Sequence, residues 1–441
     1  MPIKVNLISL GCAKNLVDSE QMLAKMNEAG MTICPEIEDA DVCVINTCGF
    51  IESAKKEAID NILELTEYKL NGTIKGIVVT GCLTERYKDD FFEQLPEVDA
   101  ILGTGSYDMI VDAVQNAINN TQTSYFGNID VTELENERIV STPKHTAYIK
   151  ISEGCNNRCA FCIIPTLRGK YRSRSIENIV EEAEKLAKDG VQEIIIIGQD
   201  VTRYGIDLYK KYNLIPLLKE LEKIDGIKWI RLHYLYPELV DETLIDYIVN
   251  SKKVLNYFDM PMQHINDRIL KLMRRRGNTE YLSNLIKTIR QKAPDAIIRT
   301  SLIVGLPTET KEDFNELCEF LTREKMQRAG VFAYSREEGT EAFDMEDQVD
   351  EETKKERLYI AEEIQSRIID EYNDNCVNKT FEVLVEGFDD EFDMFFGRTY
   401  ADSMDIDGLV YFETEKEVKS GDFINVLITE TFDPYLKGVV V

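Results

Sequence analysis

The chain has 441 residues and a formal net charge of −29, from 80 acidic and 51 basic side chains. At roughly 150 residues per domain this length predicts about three domains, and an apolar share of 44% excludes a disordered or fibrous protein. The acidic balance argues against nucleic-acid binding and against attachment to a membrane surface. No apolar run approaches the roughly 20 residues that cross a bilayer, so we expect a cytoplasmic protein.

The first 120 residues alternate short apolar strands with helical segments. Strands are predicted at Val5–Leu10, Val42–Asn46 and Gly76–Thr80, with helices from about Leu16 to Gly30 and from Ile51 to Tyr68. Such alternation is typical of a parallel sheet covered by helices on both faces. Residues 1–120 are therefore predicted to form an N-terminal α/β domain. The polar residues 119–144 are predicted to be a linker.

A second series of strand and helix patterns follows. Its six predicted strands are Ala147–Ser152, Glu193–Ile197, Trp229–His233, Tyr257–Met262, Ile297–Val304 and Gly330–Tyr334. Six such units predict a partial, TIM-like (βα)6 barrel over residues 140–372, with its chemistry at the carboxyl ends of the strands. A charged helix from Glu351 to about Asn373 ends this region.

The last segment, residues 373–441, has a different pattern. Short alternating strands are predicted at Thr380–Glu386, Met394–Ala401, Leu409–Phe412, Phe423–Thr429 and Leu436–Val441. They are separated by Gly and Asp turns, which predicts a small five-stranded antiparallel β-barrel. This segment contains 16 acidic and 5 basic side chains, so it is more acidic per residue than the rest of the chain.

Three of the ten cysteines come directly after predicted strands of the N-terminal domain. They are Cys12, Cys48 and Cys82. Because the carboxyl ends of parallel strands meet at one edge of the sheet, we expect the three thiols to converge there as metal ligands. The alternative is that they are small core residues, since free cysteine is commonly buried.

A second set of cysteines follows the first predicted barrel strand. Cys155, Cys159 and Cys162 form the spacing C-x3-C-x2-C in one short loop. Thiolates are the usual ligands of iron–sulfur clusters, and three ligands leave one iron of a four-iron cluster open to a small molecule. Structural zinc would need a fourth ligand, and the nearest histidine, His145, precedes the strand. The other four cysteines, Cys34, Cys43, Cys318 and Cys376, are predicted to be packing residues.

The spacing of the second set, in a loop that opens a series of βα units, resembles the radical S-adenosylmethionine (SAM) superfamily. The resemblance implies a 4Fe–4S cluster that binds SAM and cleaves it to a 5′-deoxyadenosyl radical. It also implies cofactor-binding roles for Phe161 near the adenine, Gln199 at the ribose or substrate, and Arg299 at a carboxylate. Barrel packing is the alternative for Gln199 and Arg299. No catalytic side chain beyond the cluster ligands is predicted.

The two cysteine sets together resemble the methylthiotransferase family over essentially the whole chain. That family has an N-terminal domain with an auxiliary 4Fe–4S cluster, a radical SAM barrel and a C-terminal barrel called TRAM. The run from Gly11 to Glu20 and the run from Cys162 to Arg174 are similar to the branch that modifies a ribosomal protein. The branch that modifies tRNA usually has Gln-Met-Asn after the first cysteine.

The resemblance implies transfer of a methylthio group to the β-carbon of an aspartate in small-subunit ribosomal protein twelve. One SAM would supply the methyl group and another the radical. The implied partners are that basic protein, within the ribosomal particle, and an electron donor such as flavodoxin or ferredoxin. The acidic tail suits a basic protein and disfavours tRNA, although a merely solubilising surface is an alternative. The competing functions are a tRNA adenosine methylthiotransferase and a two-cluster electron carrier.

Several other polar residues have no assigned role at this stage. His233 and His264 end predicted strands, which allows a polar role in the active site. Two local basic clusters surround Arg168 and Arg275; the partners considered are RNA, an acidic loop and the SAM carboxylate, and the alternative is a solvated helix surface. The sequence leaves this choice open.

Overall fold

The computed structural model describes residues 2–88, 90–131, 135 and 137–441. In the N-terminal region it contains strands β1 Lys4–Ser9, β2 Thr32–Ile33, β3 Val42–Thr47, β4 Gly76–Gly81, β5 Ala100–Leu102 and β6 Thr123–Tyr125. The helices of this region are α1 Ala13–Glu28, α2 Glu52–Leu70, α3 Cys82–Tyr87, α4 Asp90–Gln94 and α5 Ile110–Ile118. All six strands run parallel in the order β2-β1-β3-β4-β5-β6.

Helices cover both faces of this sheet, as the alternating sequence pattern predicts. Met22 and Met26 of α1 pack with α5 on one face, while Ile62 and Leu65 of α2 pack on the other. Strand β3 between them is buried at every residue. Burial on both faces explains why these strands read as continuous apolar runs.

The predicted linker is only partly irregular. Residues 123–125 form β6, which pairs with β5 at the edge of the sheet. The sequence does not predict this strand because its segment is polar. An edge strand pairs on one side only and is less covered than a central strand, so it needs fewer apolar residues. Residues 132–134 and 136 of the predicted linker lie outside the described residues.

The middle region contains the strands β7 Thr146–Lys150, β8 Ser152–Glu153, β9 Arg172–Ser173, β10 Glu193–Ile197, β11 Trp229–Leu232, β12 Tyr257–Asp259, β13 Ile297–Val304 and β14 Arg328–Ala333. Its helices are α6 Ile164–Arg168, α7 Ile176–Lys188, α8 Leu214–Leu221, α9 Glu242–Asn250, α10 Asp267–Leu272, α11 Thr279–Lys292, α12 Lys311–Glu324 and α13 Glu351–Cys376.

Six of these strands form the predicted partial barrel. They make two parallel three-stranded sheets, β7-β10-β11 and β12-β13-β14, which adjoin where the Leu235 N–H donates to the Asp259 carbonyl at 2.9 Å. Strand β12 ends three residues before the predicted Met262. Pro261 has no N–H to continue the ladder, which accounts for the shorter strand.

The C-terminal strands β15 Thr380–Asp389, β16 Met394–Arg398, β17 Val410–Glu413, β18 Phe423–Phe432 and β19 Tyr435–Val440 close into a barrel in the order β15-β16-β17-β19-β18. Four of its pairings are antiparallel, as predicted, and the pairing of β17 with β19 is parallel. Five strands that alternate in direction cannot close a ring without one parallel neighbour. The predicted number of strands therefore requires this pair.

The C-terminal barrel is held to the middle barrel by buried charges. Arg398 donates to Glu193 of β10 at 2.7 Å, and both side chains are buried. Met404 packs against Tyr148, Ile195 and Ile197 of the barrel strands. Within the described residues, no helix is long and apolar enough to cross a membrane.

The junction between β4 and α3 generates the first prediction. Gly81 has φ +106°, and a Cβ at this position would lie 2.4 Å from Asn46 Oδ1 and from the Thr47 carbonyl. Gly72 also has a positive φ, but an added Cβ would meet nothing within 4 Å. We expect G81A to lower the free energy of unfolding by about 3 kcal/mol or more, from both strain and contact, and G72A by about 1 kcal/mol. Urea unfolding of the iron-free protein measures both, and equal losses would contradict the close packing at Gly81.

Candidate functional site

The cysteines that follow three neighbouring strands lie at one edge of the N-terminal sheet. Cys12 follows β1 and caps α1, Cys48 follows β3, and Cys82 follows β4 as the first residue of α3. The Cys12 and Cys82 thiols raise the pKa of Cys48, and the Cys12 thiol raises that of Cys82. The structure therefore brings the N-terminal cysteines together at this edge, and their role as metal ligands stays a prediction.

Glycine allows two of these chain segments to approach closely. An added Cβ at Gly11, whose φ is +88°, would lie 2.7 Å from Cys48 Cβ and 3.3 Å from Cys48 Sγ. Only a residue without a side chain permits this contact at this backbone angle. The glycine before Cys12 thus determines how near the first two cysteines can be.

Buried charges make the N-terminal thiols unequal. Burial and the neighbouring thiols raise the pKa of Cys48 to about 12. Burial also raises the pKa of Cys12, but Lys14 and Arg168 outweigh that effect and lower it below its ordinary value. For Cys82 burial prevails over Arg168, and the pKa is raised. A cationic ligand or cluster would favour the thiolate form of all three.

The cysteines of the middle region occupy the loop between β8 and α6. This loop is closed at its base by the pairing of β8 with β9. The Cys155 N–H donates to the Gly169 carbonyl, and the Cys162 N–H donates to the Cys159 carbonyl, both at 3.1 Å. Burial and the neighbouring charges raise the pKa of Cys155 to about 11. The loop thus holds three partly exposed thiols in one short, hydrogen-bonded segment.

Two side chains that the sequence does not predict as site residues lie next to Cys159. The Tyr236 hydroxyl lies 3.0 Å from Cys159 Sγ. The Arg275 guanidinium stacks 3.9 Å from the Tyr236 ring centroid and donates to the Pro261 carbonyl at 2.7 Å. Arg275 belongs to a run of basic residues, and such runs usually indicate a solvent-exposed surface. In the structure, however, Arg275 is buried. Only the three-dimensional fold brings it to the cysteine loop.

The donor sets fit a cluster better than a single ion. Among the described residues, no group of three or more His, Cys, Asp or Glu side chains is arranged around one metal ion. Three thiolates that each bind a different iron do not need to converge on one point. Two sets of three thiols without nearby histidine are the ligand chemistry of iron–sulfur clusters rather than of zinc.

A buried network of charges connects the two cysteine sets. Arg168, at the end of the helix that follows Cys162, donates to Cys82 Sγ at 3.3 Å and to Asp18 and Asn15. Lys150 donates to Asp18 and, at 2.8 Å, to Glu153. Burial alone would raise the pKa of Glu153, but Lys150 and Arg168 outweigh it and hold this pKa far below its usual range. All these groups are buried at the interface between the N-terminal sheet and the barrel.

The predicted cofactor residues have different surroundings. Phe161 packs against the apolar cluster that includes Ala160 and Met273. Gln199 follows β10 and donates to Glu153, while its Oε1 atom is buried without a hydrogen-bond partner. An unpaired buried acceptor at the carboxyl end of a barrel strand is available to a ligand.

Arg299 lies near the beginning of β13, toward the other end of the barrel. It donates to Asp259 at 2.8 Å, and its Nε lies 3.8 Å from Asp407 of the C-terminal region. Two carboxylates of this chain therefore already hold the guanidinium. Its binding of a cofactor carboxylate remains a prediction, and this placement does not support it.

The two strand-end histidines are neutral near pH 7. Burial lowers the pKa of His233 to about 3 and that of His264 to about 4. His233 contacts the Ser403 hydroxyl at 2.9 Å, and His264 accepts from the Asn266 N–H at 3.0 Å. The Ser403 contact accounts for His233 without a ligand, whereas His264 Nε2 is buried without a hydrogen-bond partner, 3.7 Å from Glu309.

The local basic clusters are largely neutralised within the chain. Ion pairs join Arg174 to Glu182, Arg268 to Asp313 and Arg274 to Glu341. Of the remaining cysteines, Cys43 and Cys376 lie in apolar cores and Cys318 packs against one, as predicted. Cys34 is also buried, but its thiol contacts the Thr32 and Asp39 carbonyls and it belongs to none of these cores.

Comparison with known proteins identifies the family. Residues 4–103 match the uncharacterized protein family UPF0004, residues 149–321 the radical SAM superfamily, and residues 377–441 the TRAM domain. A protein of Acetivibrio thermocellus named ribosomal protein uS12 methylthiotransferase RimO is 45% identical, covering 100% of this chain and 99% of its own length. Proteins of the same name from Clostridium botulinum and Aquifex aeolicus are each 47% identical over 99% of this chain, with 98% and 97% of their own lengths covered. The chain belongs to the RimO family.

Solved structures of lower identity share the fold of this RimO family member. A radical SAM methyltransferase, TsrM, from Kitasatospora setae with cobalamin and a [4Fe-4S] cluster bound superposes with a TM-score of 0.55 at 13% identity, covering 76% of this chain and 75% of that chain. The cobalamin-dependent radical SAM enzyme OxsB gives 0.51 at 12% identity, covering 82% of this chain and 56% of that one. These likenesses support the barrel architecture.

The buried network generates a prediction about stability. Asp18 is 1% exposed and faces both Lys150 and Arg168. Replacing it by asparagine leaves two buried cations with one carboxylate fewer, so we expect D18N to lower the free energy of unfolding by about 3–5 kcal/mol. The exposed Asp108, changed to asparagine, should cost less than about 0.5 kcal/mol. Urea unfolding of both variants measures the difference, and similar small losses would show that the network does not hold the two regions together.

Proposed function

We propose that this chain transfers a methylthio group to the β-carbon of an aspartate in ribosomal protein uS12. The observation that carries the proposal is the pair of three-thiol sets at one interface, with Arg168 of the barrel side bonded to Cys82 of the sheet side. Relatives 45–47% identical over nearly the whole chain carry the name of this activity. The protein is thus a radical SAM enzyme and a methylthiotransferase.

The cofactors of this enzyme are SAM and 4Fe–4S clusters. Cys155, Cys159 and Cys162 would hold the cluster that binds SAM, and Cys12, Cys48 and Cys82 would hold the auxiliary cluster. When bound, these groups supply a radical that abstracts hydrogen and a sulfur that receives a methyl group. The protein would position these cofactors and the substrate, because the chemistry of the radical belongs to the cofactor.

The surrounding side chains fit these groups. Gln199 is fixed by its hydrogen bond to Glu153, so its free Oε1 can accept from a ribose hydroxyl or an amino group. The Tyr236 hydroxyl lies 3.0 Å from Cys159 Sγ, Arg275 donates to the same sulfur, and Arg168 donates to Cys82 Sγ. Hydrogen bonds to a thiolate stabilise its charge, and Phe161 of the cysteine loop packs against an apolar cluster.

Charge favours a basic protein as substrate over tRNA. The C-terminal barrel carries 16 acidic and 5 basic side chains in residues 373–441, which would repel phosphates and attract a basic partner. The ion pairs of the local basic clusters leave little free positive charge for a nucleic acid. No observation favours the tRNA activity, and a simple electron carrier would not need the six-stranded barrel.

The remaining partners follow from the reaction. Reductive cleavage of SAM requires an electron, so the proposal includes a small electron-transfer protein such as flavodoxin or ferredoxin. The proposal also includes uS12 within the ribosomal particle as the partner and a cytoplasmic location for the enzyme.

Two triple-alanine variants test whether one cysteine set serves SAM cleavage and the other serves methylthio transfer. Fully reconstituted protein should contain about eight irons, as two 4Fe–4S clusters. The change of Cys155, Cys159 and Cys162 to alanine should remove about half the iron and abolish formation of 5′-deoxyadenosine. The change of Cys12, Cys48 and Cys82 should also remove about half the iron but preserve 5′-deoxyadenosine, because the barrel set is housed separately. It should abolish methylthio transfer to uS12.

Each variant is the control for the other in iron analysis, chromatography of 5′-deoxyadenosine and mass spectrometry of uS12. SAM cleavage at the wild-type rate in the barrel variant would contradict the radical assignment. Full methylthio transfer by the N-terminal variant would show that Cys12, Cys48 and Cys82 are packing residues and not ligands of a required cluster.

A further inference from the structure

The ammonium group of Lys14 is a buried charge without a carboxylate partner. Lys14 lies in the first turn of α1, two residues after Cys12, and is 8% exposed. Within the described part of the chain, no Asp or Glu oxygen pairs with its Nζ within 4.0 Å. Buried lysines are normally paired, and an unpaired buried charge is costly. The Cys12 thiol is the neighbouring group that can carry negative charge, but no carboxylate of the described residues pairs with this ammonium, which leaves it able to bind a carboxylate from outside the chain.

Tyr234 fixes one side of this ammonium. The Lys14 Nζ lies 3.6 Å from the centroid of the Tyr234 ring. Tyr234 has φ +59°, a strained conformation for a bulky residue, and its N–H donates to Asp259 Oδ2 at 2.9 Å. A ring face satisfies the charge only partly, and an ammonium has three donors. At least one donor direction remains for a ligand.

The carboxylate that acts on Lys14 is already engaged. Tyr234 and Cys12 raise the pKa of Lys14 more than Glu153 does, and the Glu153 oxygens accept from Lys150 at 2.8 Å and from Arg168 at 3.3 Å. Gln199 takes the other oxygen. The Lys14 ammonium is thus the cation that this network leaves unneutralised by a direct ion pair.

Lys14 also connects the two cysteine sets. On one side it is two residues from Cys12. On the other it contacts Tyr234, two residues from Tyr236, whose hydroxyl lies 3.0 Å from Cys159 Sγ. Lys14 is therefore a buried cation on the chain segments that carry both cysteine sets.

We propose that Lys14 binds the side-chain carboxylate of the substrate aspartate and thereby selects aspartate as the residue that is modified. The inference rests on the proposed function. The β-carbon of aspartate is bonded directly to the carboxylate carbon. An ion pair between this carboxylate and Lys14 therefore also positions the reacting β-carbon. An asparagine at the same position offers the same carbon without the charge.

The test compares uS12 with a uS12 variant that has asparagine at the target position, using the reconstituted holoenzyme. Wild-type enzyme should prefer the aspartate substrate by about 100-fold in kcat/KM, because a desolvated charge pair is lost with asparagine. K14M should lower kcat/KM for the aspartate substrate by about 100-fold and change the asparagine substrate by less than about 3-fold. K14Q should do the same, and K14R should keep the preference. K56M, on the exposed face of α2, is the control and should match wild type.

Binding provides a readout that does not depend on turnover. The Kd of the holoenzyme for uS12 should rise in K14M and K14Q, while the Kd for the asparagine variant should not. An undiminished aspartate preference in both neutral variants would overturn the proposal. A parallel rise in the Kd for SAM would assign Lys14 to the cofactor and overturn it as well. Failure of the wild-type enzyme to modify either protein would refute the proposed function instead, so the two failures are distinguishable.

Discussion

The structure depends on one buried set of ion pairs, in which Asp18 and Glu153 neutralise Lys150 and Arg168 between the N-terminal sheet and the barrel. Charges taken out of water are tolerated only when they are paired with good geometry. Each region alone would expose unpaired partners, so the pairing specifies how the two regions meet. Because Arg168 also bonds to Cys82 and lies six residues after Cys162, the same pairing sets the relative position of the two cysteine sets.

This arrangement explains why a reaction with two cofactor sites is served by two separate folds. The N-terminal sheet gathers cysteines that are far apart in sequence, since parallel strands end at one edge. The barrel holds its cysteines in a single loop, which needs only local structure. The interface places Lys14, two residues after Cys12, against the ring of Tyr234 from the barrel. Its buried ion pairs fix how the two cysteine-bearing segments are positioned.

Much of this was predictable from sequence. Apolar runs predict the strands of both α/β regions. Cys48 and Cys82 are predicted as site residues because each lies directly after such a run. Contacts between distant segments were not predictable. Tyr236 and Arg275 reach Cys159 only in the folded barrel, and Asp18 reads as an ordinary helix residue. Arg299 matched a superfamily position, but its partners Asp259 and Asp407 come from a neighbouring strand and from the C-terminal region. The strand at residues 123–125 was missed because edge strands carry weak apolar signals.

The central claim is that the two cysteine sets act together on a ribosomal protein. The most direct measurement is the mass of uS12 and of tRNA after each is incubated with the reconstituted enzyme, SAM, a sulfide source and a reductant. We expect uS12 to gain one methylthio group in place of one hydrogen at an aspartate, and tRNA to gain none. A methylthio group on an adenosine of tRNA, with uS12 unchanged, would contradict it.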